Sequence, residues 1–464
     1  MKAPLTALRD AVRSQLWPLP LAAVLVALVV GLVLPRVDAD VDQALPGWLT
    51  SVIFGGDADA ARTVLDAVSS SLITVTSLTF SLTVVTLQLA SSQFSPRLLR
   101  TFTSDVFVQA TLSVFLATFT YSLTVLRSVR SSDAMLLEFV PRLSVTVSFV
   151  MAIGSVVMLV VFLAHLAQQI RVETMLRDVH DDASATIQAT LGGESPSGLT
   201  EGQKQRDGDD HDWPADSVPP PPAHAFTVLA PSSGFLVRVD QQELLDACVD
   251  LDVVLVLDRH MGSSLVKGTP MGSAWSTADA NGTTVRRAVQ ERLAKSVHTG
   301  FERTPVQDIG YGLRQLTDVA IKALSPGIND PTTAVHTLGH ISALLCEIAA
   351  HDLGPLLLRD DDQRVRVVLH RPELSDLVDV AITQPRRYGG SDPQLMQRLF
   401  QLLSELAWHC RPTQRPLVNA QLERLVATVH AQDFDSHELD QLDRAAHQVL
   451  DALAASDPVR RSPR

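Results

Sequence analysis

The sequence predicts a multi-pass α-helical membrane protein with four transmembrane helices, followed by a cytoplasmic α+β region in which a small β-sandwich-like module precedes a helical domain. Three observations predict it. Charge is nearly absent from four long windows before residue 167 and dense after it. Each window comes close to the ~20 apolar residues that a helix needs to cross the hydrocarbon core. Past residue 224 the apolar pattern shortens to strand-like runs and then takes up a helical period. A chain of 464 residues exceeds one ordinary domain. It divides into 1–16 (cytoplasmic N-terminus), 17–166 (membrane domain), 167–191 (helical connector), 192–223 (linker), 224–278 (β module) and 279–464 (helical domain).

Span one, Trp17 to Leu34, lies between Arg13 and Arg36. Val37-Asp38-Ala39 is a poor signal-cleavage site and three more spans follow, so the run reads as an uncleaved anchor. Span two, Val68 to Ala90, holds no charge. Span three runs from about Phe107 to Leu126 and ends at Arg127. Span four runs from about Leu143 to Ala164, between Arg142 and His165. Any one of these runs suits a buried soluble helix; four in succession do not. Basic residues orient the spans. With both termini inside, Lys2, Arg9, Arg13, Arg97, Arg100, Arg171 and Arg177 lie inside, seven against the five outside, Arg36, Arg62, Arg127, Arg130 and Arg142. Cys248, Cys346 and Cys410 are odd in number and contain no Cys-x-x-Cys pair, which suits a reducing cytoplasm for the second half.

Span two, VSSSLITVTSLTFSLTVVTLQLA, is unusually rich in Ser and Thr. At ~100° per residue, Ser70, Thr74, Ser77, Ser81 and Gln88 fall on one stripe, which Ser92 and Ser95 extend. Thr76, Thr79, Thr83 and Thr86 fall near the opposite side. Lipid gives no reason for two polar stripes, so this helix is expected to be central, surrounded by protein or lining water. One reading is packing, in which small hydroxyl residues let helices approach and bond across the interface or to their own carbonyls. The other is a permeation path for an ion or small solute, which four spans build only as an oligomer. Span three repeats the habit with Thr111, Thr118 and Ser122. No ionisable residue lies within the spans as drawn, which disfavours a proton-coupled pump, and His165 is expected at the interface. The acids of the first loop, Asp38, Asp40, Asp42, Asp57, Asp59 and Asp66, suit a solvated surface or a cation-concentrating mouth. Ser95 to Phe102 suits a short interfacial helix or an ordinary loop.

Gly192 to Ala223 is acidic, ends in Pro219 to Pro222 and lacks apolar periodicity, as expected of an extended linker. The runs FTVLA, GFLVRV, DVVLVL and SLVKGTPMG then read as strands around a short helix from Gln241 to Val249. Their order is similar to the β-sandwich of biotinyl and lipoyl carriers but lacks the modified-lysine hairpin. No cofactor is expected, and docking to neighbouring subunits is the plainer use. Thr304-Pro305-Val306-Gln307 reads as a capped helix start, with Val306, Ile309, Leu313, Leu316, Ala320 and Leu324 inward and Arg314, Asp318 and Lys322 as a charged ladder. Ala323 to Pro331 breaks that helix, and Asp330 caps the next, whose Ala334, Leu338, Ile341, Leu345 and Ile348 face a core. Ser325, Asn329 and Asp330 are candidates to hold a ligand at this helix start, with pure turn and cap chemistry as the alternative. His336, His340 and Glu347 share a face but lack a third ligand in a metal motif, so no metal is expected. Residues 372–453 give three or four more amphipathic helices, with starts at Asp392-Pro393 and Ser436. No phosphate loop, nucleophile elbow or other catalytic constellation occurs, so the chain is not expected to be an enzyme. The formal net charge of −13 argues against a nucleic-acid partner.

Three segments carry a family resemblance: Leu87-Gln88-Leu89-Ala90-Ser91-Ser92-Gln93-Phe94-Ser95-Pro96-Arg97, Arg303-Thr304-Pro305-Val306-Gln307-Asp308, and Ala323-Leu324-Ser325-Pro326-Gly327-Ile328-Asn329-Asp330-Pro331. Over nearly the whole chain the sequence resembles the bacterial predicted membrane proteins grouped as domain of unknown function 2254, with the acidic linker as an addition. The resemblance implies a multi-pass inner-membrane protein with both termini cytoplasmic, and it implies no activity. From the residues, the first expectation is a homo-oligomeric ion channel or channel-like protein with a Ser/Thr-lined second helix. The alternative is a membrane-anchored scaffold or sensor whose cytoplasmic domain binds a ligand or partner. The expected partners are the lipid bilayer, further copies of the chain and an ion or small solute.

Overall fold

The computed structural model describes residues 17–41, 54–93, 105–130, 139–169, 171–192, 220–276 and 283–455. The predicted interfacial segment 95–102, the N-terminus 1–16 and nearly all of the linker lie outside them. The chain forms two compact units, Met1–Met175 and Leu176–Arg464.

The first unit contains α1 (Pro18–Val41), α2 (Ala58–Gln93), α3 (Val106–Leu126) and α4 (Arg142–Gln169). Each predicted span falls in one of these helices, save Trp17, which precedes α1, and three of the helices are markedly longer than drawn. α3, not α2, is central within one chain, since it packs most extensively against α1, α2 and α4 and is the most buried of the four. Sequence pattern shows that a helix is polar on one side but not which neighbour meets that side. The seam around α3 follows the rule of small and hydroxyl residues. Thr118 Oγ1 and Ser155 Oγ share a hydrogen bond of 3.1 Å, Ser122 Oγ and Ser148 Oγ one of 2.6 Å, and Tyr121 Oη donates to the Ser144 carbonyl at 3.1 Å. Gly31 lets α1 approach so closely that a Cβ there would stand 2.9 Å from Thr124 Cβ. Ala27, Ala61, Leu65, Tyr121, Val125 and Val145 form the apolar heart.

The second unit begins within α5 (Val172–Leu191). It then gives β1 (Phe226–Leu229), β2 (Gly234–Val239), α6 (Gln241–Asp250), β3 (Val253–Leu257), β4 (Ser264–Leu265), β5 (Pro270–Ser276), α7 (Thr283–Ser296) and β6 (Val297–Gly300). After these come α8 (Tyr311–Ala323), α9 (Pro331–Ala350), β7 (Leu356–Arg359), β8 (Val365–Leu369), α10 (Leu374–Tyr388), α11 (Pro393–His409), α12 (Arg415–His430) and α13 (Ser436–Ala455). The strands make a mixed sheet of order β1-β5-β3-β8-β7, parallel only at β3/β8, and a sheet of order β4-β2-β6. The expected β module at 224–278 is therefore not self-contained. β6, β7 and β8, from the segment expected to be wholly helical, complete its sheets, and Val367 and Leu369 share its core with Val228, Leu255, Leu257 and Leu293. α9 packs against α8 and α11. It is one of five described helices long and apolar enough to cross a membrane by length and composition, the other four being α1 to α4.

Cys248, Cys346 and Cys410 are buried free thiols, and burial pushes Cys248 and Cys410 up to about 12, which keeps them protonated and unreactive.

Candidate functional site

α2 carries its hydroxyls on two faces of different fate. Ser69, Thr76, Thr79, Thr83 and Thr86 are buried with Ala61, Leu65 and Leu72. Ser70, Thr74, Ser77, Ser81 and Gln88 are all exposed. The exposed hydroxyls mostly bond back along their own helix. Ser70 Oγ donates to the Asp66 carbonyl at 2.7 Å, Thr74 Oγ1 to Ser70 at 3.0 Å and Ser77 Oγ to Ile73 at 2.9 Å. A hydroxyl whose proton is committed in this way offers only its oxygen lone pairs outward. Asp59, Thr63 and Asp66, also exposed, continue the same stripe by helical angle toward the start of the helix. At ~1.5 Å per residue, Asp66 and Gln88 stand ~33 Å apart, close to the ~30 Å of a hydrocarbon core. Ile73, Leu78, Phe80, Val84, Val85 and Leu89 are exposed on or beside the stripe. Ser92 and Ser95, expected to extend it, lie where no side chain is described.

Three ionisable residues of this unit have roles that the sequence reading missed. Asp38, expected in the acidic loop, sits in the last turns of α1 and is 3% exposed. It accepts from the Leu143 and Ser144 amides at 3.3 and 3.0 Å and from Ser144 Oγ at 3.2 Å. A signal for it exists. Val140-Pro141-Arg142 offers α4 no Ser, Thr, Asp or Asn as a cap, so the orphan amides of that helix need an acceptor from elsewhere. Asp105, just before α3, accepts from the Phe107 amide at 2.8 Å, and its Oδ2 lies 2.7 Å from His165 Nε2. His165, expected as a bland interfacial residue, thus ties the end of α4 to the start of α3, with the Phe107 ring tilted against it at 4.5 Å between ring centroids.

In the second unit the structure brings Ser325, Asn329 and Asp330 together as one turn, and the turn uses its own polar groups. Ser325 Oγ donates to the Lys322 carbonyl at 2.6 Å, and the Asn329 amide to the Ser325 carbonyl at 2.9 Å. The Asp330 carboxylate accepts the Thr333 hydroxyl and amide, which hold it below its ordinary range. Asn329 sits at φ +50°, a conformation Asn tolerates. His340 faces His180 of α5 at 5.2 Å between ring centroids, and Glu347 accepts from Ser184 Oγ at 3.0 Å and Gln188 Nε2 at 3.3 Å. Among the described residues no group of three His, Cys, Asp or Glu is arranged to hold a metal ion.

The segment 303–308 is not the helix start that its capping signature suggests; the helix begins at Tyr311. Arg303 instead grips Asp308 through Nε at 2.9 Å and Nη2 at 2.8 Å. Gly262, at φ +81°, packs so tightly on this pair that a Cβ would overlap Asp308 Oδ2. Gln307, at φ +60°, does not return to Thr304. Its amide brackets Val239 of β2, accepting from the Val239 N–H at 3.0 Å and donating to its carbonyl at 3.3 Å. Pro305, Val306 and Gln307 then form one wall of a cavity of about 840 Å³, with Asp182, Thr186 and Ala189 of α5 also lining it.

Residues 13–405 match the family described as "Predicted membrane protein (DUF2254)". The uncharacterized proteins Rv1290c of Mycobacterium tuberculosis and Mb1321c of Mycobacterium bovis are each 35% identical to the chain over 461 residues, covering 98% of it and 83% of their own length. No solved structure matches. The chain belongs to the DUF2254 family of predicted membrane proteins.

Proposed function

We propose that this family member is one subunit of a homo-oligomeric cation channel in a bacterial inner membrane, in which α2 of each copy turns Ser70, Thr74, Ser77, Ser81 and Gln88 toward a shared axis. The observation that carries the reading is the exposed polar stripe of α2, which has no apolar use in lipid and runs the thickness of the core. Its chemistry favours cations. The hydroxyls of Ser70, Thr74 and Ser77 offer lone pairs rather than protons, and Asp59 and Asp66 add negative charge at one end. In this reading α1 to α4 are the four spans, both termini are cytoplasmic by the balance of Lys and Arg, and α9 is a core helix of the soluble unit. The flanking Ile73, Val84 and Val85 supply the contacts between copies.

The test is potassium flux from liposomes holding the full chain, combined with cysteine substitution. Flux is expected, with block by a charged thiol reagent at Ser77→Cys and Ser81→Cys and none at the buried Thr79→Cys. No flux together with a monomeric state in mild detergent overturns the proposal. A second reading, a membrane-anchored sensor, is favoured by the cavity behind the 305–307 loop; abolition of a ligand response by Asn329 and Asp330 variants that stay folded would place its ligand at the turn instead.

A further inference from the structure

We infer that the soluble unit holds a site for a phosphate group in the cleft between α8, α10 and α12. The cleft has a volume of about 260 Å³ and is lined by Arg314 of α8, Asp379, Thr383 and Gln384 of α10 and Arg424 of α12. Asp379 is the one carboxylate among its lining residues. Arg424 Nη1 donates to Asp379 Oδ1 at 2.9 Å, and Gln421 Nε2 donates to the same oxygen at 2.8 Å. Arg386 and Arg387 stand beside this group on α10. Burial, with Arg424 and Arg387 close by, pushes the Arg386 guanidinium below its ordinary range. Arg386 Nη1 donates to Thr428 Oγ1 at 2.6 Å, while its buried Nε has no acceptor.

Arg314, Arg424 and Arg386 near the one lining carboxylate leave a local positive excess in a chain of formal charge −13, so the cluster does not follow from general basicity. A guanidinium presents a planar fork of donors that suits a tetrahedral oxyanion. Arg314 and, beyond the Nη1 held by Asp379, Arg424 supply donors from two different helices, and Gln384 supplies a neutral one; the Thr383 hydroxyl donates to Asp379 Oδ1 at 3.3 Å. The cleft is too small for a nucleic-acid strand and admits a phosphate or a small phosphate ester. A free phosphate compound and a phospholipid headgroup share this chemistry. The inference does not depend on the channel reading.

The experiment is equilibrium dialysis of radiolabelled inorganic phosphate against the full chain in nanodiscs of phosphatidylcholine, repeated with discs containing phosphatidic acid. One saturable, sulfate-competed site per chain is expected. Arg314→Gln and Arg424→Gln should each weaken it about tenfold, as befits loss of one charge-assisted contact. Asp379→Asn should tighten it, because the competing carboxylate charge is gone. Arg387→Gln, outside the lining, should change it by less than about threefold. Arg314→Lys keeps the charge and checks that loss is not misfolding; it should retain part of the binding. Displacement by phosphatidic acid assigns the site to a headgroup, and indifference assigns it to a free phosphate compound. Absence of saturable binding in both discs, or unchanged binding in both arginine-to-glutamine variants, overturns the inference.

Discussion

α2 and α3 carry a similar dress of Ser and Thr and use it in opposite ways. On α3, Thr111, Thr118 and Ser122 have no exposed surface, and the last two reach across to hydroxyls of α4. On α2 the buried Thr83 and Thr86 bond back to Thr79 and Leu82, while a second set, Ser70, Thr74, Ser77, Ser81 and Gln88, is exposed, and its Ser70, Thr74 and Ser77 also bond back along their own helix. A count of hydroxyls in an apolar helix therefore does not say how they are used, and neither does back-bonding to the helix's own carbonyls; what distinguishes the sets is whether the face that carries them is buried against another helix.

The largest expected effect tests the packing side of the contrast. Asp38→Ala removes the acceptor of two amides at the start of α4 and leaves them buried and unpaired. The expected cost is about 3 kcal/mol, read as a lowered thermal midpoint of the full chain in detergent. A loss below about 1 kcal/mol would mean that water already serves those amides. The next effect pits the two hydroxyl sets against each other. Ser148 faces Ser122 with no exposed surface, so Ser148→Leu overpacks the seam and costs about 2 kcal/mol. Ser77→Leu on the exposed stripe should change stability by less than about 0.5 kcal/mol while abolishing flux. If both variants melt alike, the exposed stripe is buried in the assembly as a packing surface and the contrast fails.

What was legible in the sequence follows the same division between local and distant partners. The four apolar windows are local facts of composition, and each became a helix. The turn at 323–331 was legible because its bonds run between residues a few positions apart. The centrality of α3 was not, because it depends on which helices meet. Thr304-Pro305 misled for a related reason. The capping signature is local, but the Arg303–Asp308 pair, packed against Gly262, and Gln307, bonded to Val239, fix a non-helical path through contacts the signature does not contain. β7 and β8 are short, mostly apolar runs of four and five residues that helical periodicity absorbs easily; only the pairing of β8 with β3, and of β7 with β8, reveals them. Ser70, Thr74, Ser77, Ser81 and Gln88 group by helical angle, which is local, whereas the exposure that all five share was not available from the sequence.

The smallest expected effect extends the contrast to the second unit, where a distant partner imposes a protonation state. Arg238 Nη2 donates to His298 Nε2 at 3.0 Å across β2 and β6, which requires a neutral imidazole. Burial, and then the Arg238 charge, hold His298 below its ordinary value of ~6.5. The folded state therefore disfavours the proton that the unfolded chain accepts. The contribution of this pair is fully present above pH ~6.5 and is lost as pH falls through the lowered folded value. Hydrogen exchange of the β2 and β6 amides should accordingly quicken between pH 7 and pH 5, after correction for intrinsic rates. His298→Gln, which can still accept from Arg238 but cannot titrate, should flatten that dependence. An equal pH response in the variant would move its origin to Asp240 or Glu243, whose charges raise the His298 value against the two larger effects.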